Sequence, residues 1–265
     1  MILTEPYNIN ITPYQSIDIL HGDAQIDIYK QTQKPRHTLA LFSGFAETVE
    51  THRLLTDVFA WGLNHKCRIA VVKTFINKLE LLEQKNEQNY EYSELQELYD
   101  TCMKELLYAT QDNKAHIIAH STPTIPLTIH FNNCIKSGHQ PPVGSAILLA
   151  PYPTNPDIIN TLIKLSIKTN HNDMATRLQN IIPFTQKLFD ATNLIEPKLM
   201  SKYKFPLYLI SGKTDKTAPA NNTFSKFVIP AANEHISSII VQGGHNFNKD
   251  LSDLPVQILK QQREK

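Results

Sequence analysis

The chain is short of glycine, with eight in 265 residues. It has almost no net charge, since 26 Lys and Arg stand against 25 Asp and Glu. That balance leaves no field for drawing in nucleic acid. Its three cysteines, Cys67, Cys102 and Cys134, show no CxxC spacing and cannot all pair. This excludes a disulfide framework and leaves buried, reduced thiols, hence a reducing compartment. No uninterrupted apolar run approaches the roughly 20 residues needed to span a bilayer. No GxGxxG and no phosphate loop occurs, and the His and Cys spacings match no zinc pattern, so neither cofactor nor metal is expected. The start, Met1 to Pro6, lacks a basic stretch followed by an apolar one, so no secretory signal is expected and a cytoplasmic protein follows. The mixed charges from Lys78 to Glu97 read as a solvated connection.

What is present suffices for one large core: 41% of residues are hydrophobic and 19% charged. Ile17–Leu20 and Ala24–Tyr29 alternate apolar and polar residues around Gly22-Asp23, which predicts a hairpin with one wet face. From residue 38 buried strands alternate with helix-length segments. The strands are Thr38–Phe42, Arg68–Val72, His116–Ala119, Ser145–Ala150, Leu207–Ile210 and Ser238–Val241. Leu54, Leu55, Val58 and Phe59 mark a helix face with Gly62 as its stop. Ser93-x-x-Gln96 reads as a capping box for a helix with Leu95, Leu98, Cys102 and Leu106 inside. Such an alternation predicts an α/β fold, a parallel sheet with helices on both faces. Residues 1–150 and 201–265 form the core on this reading. Residues 151–200, proline-rich at first and then apolar-periodic, read as a small helical lid insertion over the sheet's carboxyl edge. One ordinary crossover helix with irregular flanks is the alternative.

Ligands bind at the carboxyl ends of such strands. Three residues able to do acyl-transfer chemistry lie there in order: Ser121, Asp215 and His245. A serine hydroxyl needs a base to take its proton, and the base needs a carboxylate to fix its tautomer. The order Ser, Asp, His is that of α/β-hydrolases. Each residue also has a plain reading, as a helix cap, a turn Asp and a surface-loop His. Asp157 and Asp190 are fallback acids, though neither follows a clear strand. Gly243-Gly244 before His245 lets its ring swing over a nucleophile. The other histidines have no matching acid, and His120 is expected to point away from Ser121. The oxyanion needs two N–H donors, for which Thr122 and Phe45 are the candidates. Four of the eight glycines, Gly44, Gly212, Gly243 and Gly244, lie in these loops.

These residues resemble the α/β-hydrolase superfamily. The layout spans roughly residues 14–260, while the motifs occupy four short loops. The resemblance implies a mostly parallel eight-stranded sheet, a Ser-His-acid triad and a lid. Ser43-Gly-Phe-Ala46 beside a glycine-free elbow is also similar to acyl-protein thioesterases of bacterial luminescence. Two departures stand out. The elbow reads Ala119-His-Ser-Thr-Pro123, with both usual glycines replaced. Lys73–Asn77 lacks the Asp-x-x-Gly-x-Gly turn of the superfamily. Pro123 suits the first turn of a helix but is expected to widen its packing on the strand.

The expected function is a serine hydrolase of a carboxylic ester or thioester, its apolar insertion favouring a small or lipid-like acyl substrate. Acyl transfer to an alcohol or thiol would use the same trio. A non-catalytic binding module keeping these residues is the third expectation. Nucleic acid and a membrane-spanning segment are not expected, and the oligomeric state is open.

Overall fold

The computed structural model describes residues 11–30, 35, 37–45, 47–87, 90–111, 114–154, 157–247 and 254–263. The segment read for a leader, Met1 to Pro6, lies outside them, as do Ala46 and the side chains of Asp157, Ile158 and Leu162. Eight strands form one sheet: β1 (Gln15–Ile19), β2 (Ala24–Lys30), β3 (Thr38–Phe42), β4 (Arg68–Thr74), β5 (Ala115–His120), β6 (Val143–Leu149), β7 (Leu207–Gly212) and β8 (Ile236–Val241). Their spatial order is β1-β2-β4-β3-β5-β6-β7-β8. The hairpin β1-β2 forms, but the wet face expected of it is lost on β2, where Asp27 and Tyr29 are buried as well as Ile26 and Ile28, and β2 pairs antiparallel with β4. All other pairs are parallel.

Side chains alternate across a strand, so the continuous apolar runs serve two cores. Ala40 and Phe42 join Val72, Ile117, Leu148 and Leu209 on one face. Leu39 and Leu41 join Ile69, Ile118, Ile147 and Ile210 on the other. The chain supplies helices α1 (Arg53–Asn64), α2 (Leu79–Glu87), α3 (Tyr92–Thr110), α4 (Thr124–Lys136), α5 (Asp157–Lys168), α6 (Asn172–Asn180), α7 (Ile182–Asp190), α8 (Pro197–Met200), α9 (Ala220–Thr223), α10 (Ile229–Ala231) and α11 (Leu254–Arg263). Helices α1 and α11 cover the second face through Leu55, Val58, Phe59, Val256 and Leu259. Helices α3 and α4 cover the first through Leu98, Cys102, Leu106, Ile125 and Phe131. Among the described residues no helix is long and apolar enough to cross a membrane.

Several local expectations change. Gly62 does not end α1; it lies inside the helix, where a β-carbon would strike Ile69 and Leu39 of the sheet. It is there for close packing rather than as a stop. Helix α3 is capped by a Glu91–Glu94 box, with the Glu91 amide donating to Glu94 Oε2 at 2.6 Å, so it starts earlier than Ser93 suggests. The charged stretch from Lys78 is not mere connection. It holds α2, whose Leu79 and Leu82 are buried. Cys67 and Cys102 are buried as expected, while Cys134 is half-buried.

Between β6 and β7 the chain runs through α5 to α8. Pro183 and Pro197 sit in the first turns of α7 and α8, where a missing N–H costs nothing, so they open helices rather than interrupt them. Phe184 of α7 meets Phe75, which directly follows β4, at 5.9 Å between ring centroids. Helix α7 therefore lies on the carboxyl edge of the sheet.

At that edge β7 and β8 end against each other. A β-carbon on Gly212 would come within 2.5 Å of the Gly244 carbonyl oxygen and 2.6 Å of that of Gly243. Backbone atoms there cannot swing aside as a side chain could. Gly212→Ala is expected to destabilise the fold by about 1–3 kcal/mol in urea unfolding. An unchanged midpoint would show that the two loops are not in contact in solution.

Candidate active site

Strand β5 ends at His120, and the next residue turns sharply. Ser121 has φ +62°, the left-handed region that a side chain disfavours. The turn is held on both sides. The Ser121 amide donates to the Leu149 carbonyl at 2.8 Å. The Ser121 carbonyl accepts from the Thr124 amide at 3.0 Å and from Thr124 Oγ1 at 2.5 Å. Pro123 caps α4 with φ −58° and ψ −19°, a backbone state its ring prefers. Gly44, after β3, lets its loop approach the serine. A β-carbon there would lie 3.2 Å from Ser121 Cβ.

The three residues read from strand ends converge. Ser121 Oγ lies 2.8 Å from His245 Nε2. His245 Nδ1 lies 2.9 Å from Asp215 Oδ2. An ionised carboxylate only accepts, so Nδ1 carries hydrogen and Nε2 is free to accept from the serine hydroxyl. Asp215 Oδ1 takes the amides of Thr217 at 2.8 Å and Ala218 at 2.9 Å. The turn role and the imidazole-facing role of Asp215 are thus filled together, one by each oxygen. Burial opposes ionisation of Asp215. The His245 hydrogen bond and charge, with the two amides, outweigh it and hold the carboxyl below the usual range. The Asp215 and His245 loops are stitched by the amide and hydroxyl of Thr214, both donating to the Gly243 carbonyl at 2.9 Å.

Phe45 and Thr122 flank Gly44 and Ser121 respectively. Among the described residues, neither amide is taken by a backbone carbonyl. Asp190 is not part of the group; it ends α7 and accepts from Gln186 at 2.8 Å. The side chain of Asp157 lies outside the described residues.

A second cluster was not foreseen. His120, fully buried, places Nδ1 2.9 Å from Glu47 Oε2 and Nε2 3.1 Å from the His245 carbonyl oxygen. The expectation that the other histidines lack acids therefore fails, here and at His130, whose Nδ1 is 2.7 Å from Asp100. The signal available was Glu47 three residues beyond Gly44, but only the fold shows that this loop meets the elbow. His52 caps α1 and its ring lies 4.1 Å from that of His120. Burial and the neighbouring His120 charge push His52 down to about 3. Glu47, His52 and His120 bring donor atoms within 4.8 Å of one another, a spacing that could hold a cation. Part of this donor set is already paired, however, while His52 Nε2 is buried without a hydrogen-bond partner among the described residues. Glu47 and His120 serve each other, and His52 Nδ1 accepts the Leu55 amide at 3.4 Å.

Burial works against the Glu47 anion, yet the charge of His120 and its hydrogen bond, beside the His52 imidazole, hold its carboxyl at about 2, against an ordinary 4.5. Its stabilising contribution is whole above pH 4.5 and falls away as pH drops toward 2. Wild type should lose stability across that window that Glu47→Gln does not lose. Urea midpoints of the two proteins at stepped pH measure this, and parallel curves would refute it.

No protein-family model matches the sequence, and no curated protein is significantly similar to it. Solved structures do match. A carboxylesterase from the thaumarchaeon Nitrososphaera gargenis is 11% identical with a TM-score of 0.58, covering 94% of this chain and 99% of its own. A serine hydrolase from the bacterium Cycloclasticus zankles is 12% identical with a TM-score of 0.62, covering 93% and 98%. The thioesterase domain of the curacin biosynthetic pathway is 9% identical with a TM-score of 0.60, covering 93% and 98%. Likeness at such low identity, together with the strand order and the turn at Ser121, establishes the architecture: the chain has the α/β-hydrolase fold.

Proposed function

We propose that the protein is a serine hydrolase of carboxylic esters or thioesters. The observation that carries this reading is the unbroken line from Ser121 Oγ to His245 Nε2 at 2.8 Å and from His245 Nδ1 to Asp215 Oδ2 at 2.9 Å. Three loops far apart in sequence build it. A capping serine, a turn aspartate and a surface histidine have no reason to meet in that order and tautomer.

In this mechanism Ser121 Oγ attacks the acyl carbon while His245 Nε2 takes its proton. Asp215 stays ionised and stabilises the imidazolium that forms. The amides of Phe45 and Thr122 hold the oxyanion. Collapse expels the alcohol or thiol with the proton from His245, leaving an acyl-Ser121. Water then repeats the sequence and frees the acid. Residues 151–200, with helices α5 to α8 and with Ile159, Ile163, Leu178 and Phe184 in the core on the same side, form a cap over the carboxyl edge of the sheet. Its apolar character suits an acyl chain. The carboxylesterase, serine hydrolase and thioesterase likenesses support the reaction class.

Ser121→Ala should leave folding intact and lower turnover of p-nitrophenyl esters by about 10⁴-fold or more. It should also abolish labelling by a fluorophosphonate. Turnover equal to wild type would remove the nucleophile assignment. Asp215→Asn keeps the shape of the site but loses the anion that sets the His245 tautomer. A fall in kcat of about 10⁴-fold is expected, with KM little changed.

A further inference from the structure

We propose that Glu47 and His120 are positioning residues: a second carboxylate–imidazole pair that holds the main chain of His245, as Asp215 holds its ring. This rests on the hydrolase reading above and deepens it.

The hydrogen-bond directions are forced. The His245 carbonyl can only accept, so His120 Nε2 must carry hydrogen. One hydrogen then lies between His120 Nδ1 and Glu47 Oε2, 2.9 Å apart. Either the imidazole is charged against a carboxylate or it is neutral against a carboxylic acid. Glu47 favours the first arrangement, because its anion faces two imidazoles. On His120, burial disfavours charge, but the Glu47 anion and hydrogen bond with the His245 carbonyl overcome it and raise its basicity. The groups around the pair agree. His52, on the first turn of α1, is held neutral and adds no second cation. Asp215 lies beyond His245 and adds negative potential.

The pair acts on the glycine loop that carries the base. His245 follows two glycines, and Gly243 has φ +132°. A glycine pair loses much chain entropy when held in one conformation. The bond from Asp215 fixes the ring and Thr214 holds the Gly243 carbonyl, but neither reaches the main chain of His245 itself. His120 closes that gap from the elbow itself, one residue before the nucleophile. At its far end the pair grips the loop of Gly44 and Phe45. Asn77 Nδ2 steadies that loop by donating to the carbonyls of Ser43 at 3.1 Å and Gly44 at 2.9 Å. The proposed oxyanion loop, the nucleophile and the base thus share one buried ion pair. The sub-ångström registration of a base against its nucleophile is worth large factors in rate.

The test compares wild type, Glu47→Gln, Glu47→Asp and His120→Asn in three measurements: p-nitrophenyl ester kinetics, the rate of fluorophosphonate labelling at Ser121, and hydrogen–deuterium exchange of amides 243–247. Glu47→Gln should lower kcat and the labelling rate about 10- to 100-fold, with KM within about twofold. Its 243–247 amides should exchange about tenfold faster. Glu47→Asp, which keeps the charge and loses length, should retain more activity than Glu47→Gln, which keeps the size and loses the charge. A role in filling space alone predicts the reverse order. Folded Glu47→Gln with all three values within twofold of wild type overturns the proposal, as does a Gln variant faster than the Asp variant. Should Glu47→Gln not fold, His120→Asn carries the same expectations. Wild type that neither turns over nor labels would refute the hydrolase reading, and the exchange data would then decide the positioning role alone.

Discussion

Ser121 is held at φ +62°, a backbone state that costs a residue with a side chain about 1–3 kcal/mol. The strain persists because the surroundings over-determine it. Its amide is bound to Leu149 on β6, and its carbonyl is bound twice by Thr124 at the start of α4. Pro123 adds a φ already set for a helix. The turn throws the hydroxyl out of the sheet at the one edge where β3, β5, β7 and β8 all end. Without it Ser121 would continue the strand, its side chain would enter one of the two cores, and no base could reach it.

Around that turn the charges come in pairs. Asp215 faces the ring of His245, and Glu47 faces His120, which in turn faces the backbone of His245. A buried carboxylate without partners would protonate. Asp215 has two amides and an imidazole. Glu47 has the imidazole of His120 as its hydrogen-bond partner. Both carboxyls are therefore held below their usual range despite burial. Ionised, they give the cluster a fixed pattern of donors and acceptors, the preorganisation that the proposed mechanism requires.

The helices between β6 and β7 are fastened to the rest in two ways. Arg177 of α6 reaches Glu80 and Glu83 of α2 at 3.1 and 2.9 Å, and Lys187 of α7 reaches Glu91 at 2.6 Å. These pairs are half-buried to exposed, and such bridges contribute about 0–1 kcal/mol each. The contact of Phe184 with Phe75 and Tyr90 is buried and apolar and carries more. The ion pairs and the aromatic cluster tie α6 and α7 to α2 and to the loops beside it.

Much of this was legible in the sequence because it is local. The parallel strands are short, largely apolar runs, the opening hairpin alternates apolar and polar residues, and each strand lies close to where its pattern predicted. Ser121, Asp215 and His245 could be picked out because each follows such a run directly. Where reading failed, a neighbour far along the chain decided. Gly62 looks like a helix stop until Ile69 of β4 is seen against it. Lys78–Glu97 looks solvated until α6 and the core supply partners for α2. Glu47 is marked only by its nearness to Gly44, and its partner His120 lies 73 residues away. By itself the sequence determined the alternation of strands and helices, the layered fold that follows, and which residues stand at strand ends. The tertiary structure alone decided which of those ends meet. Strand order and the short reach of a hydrogen bond place residues 47, 120, 215 and 245 together, and neither is a property of any one segment.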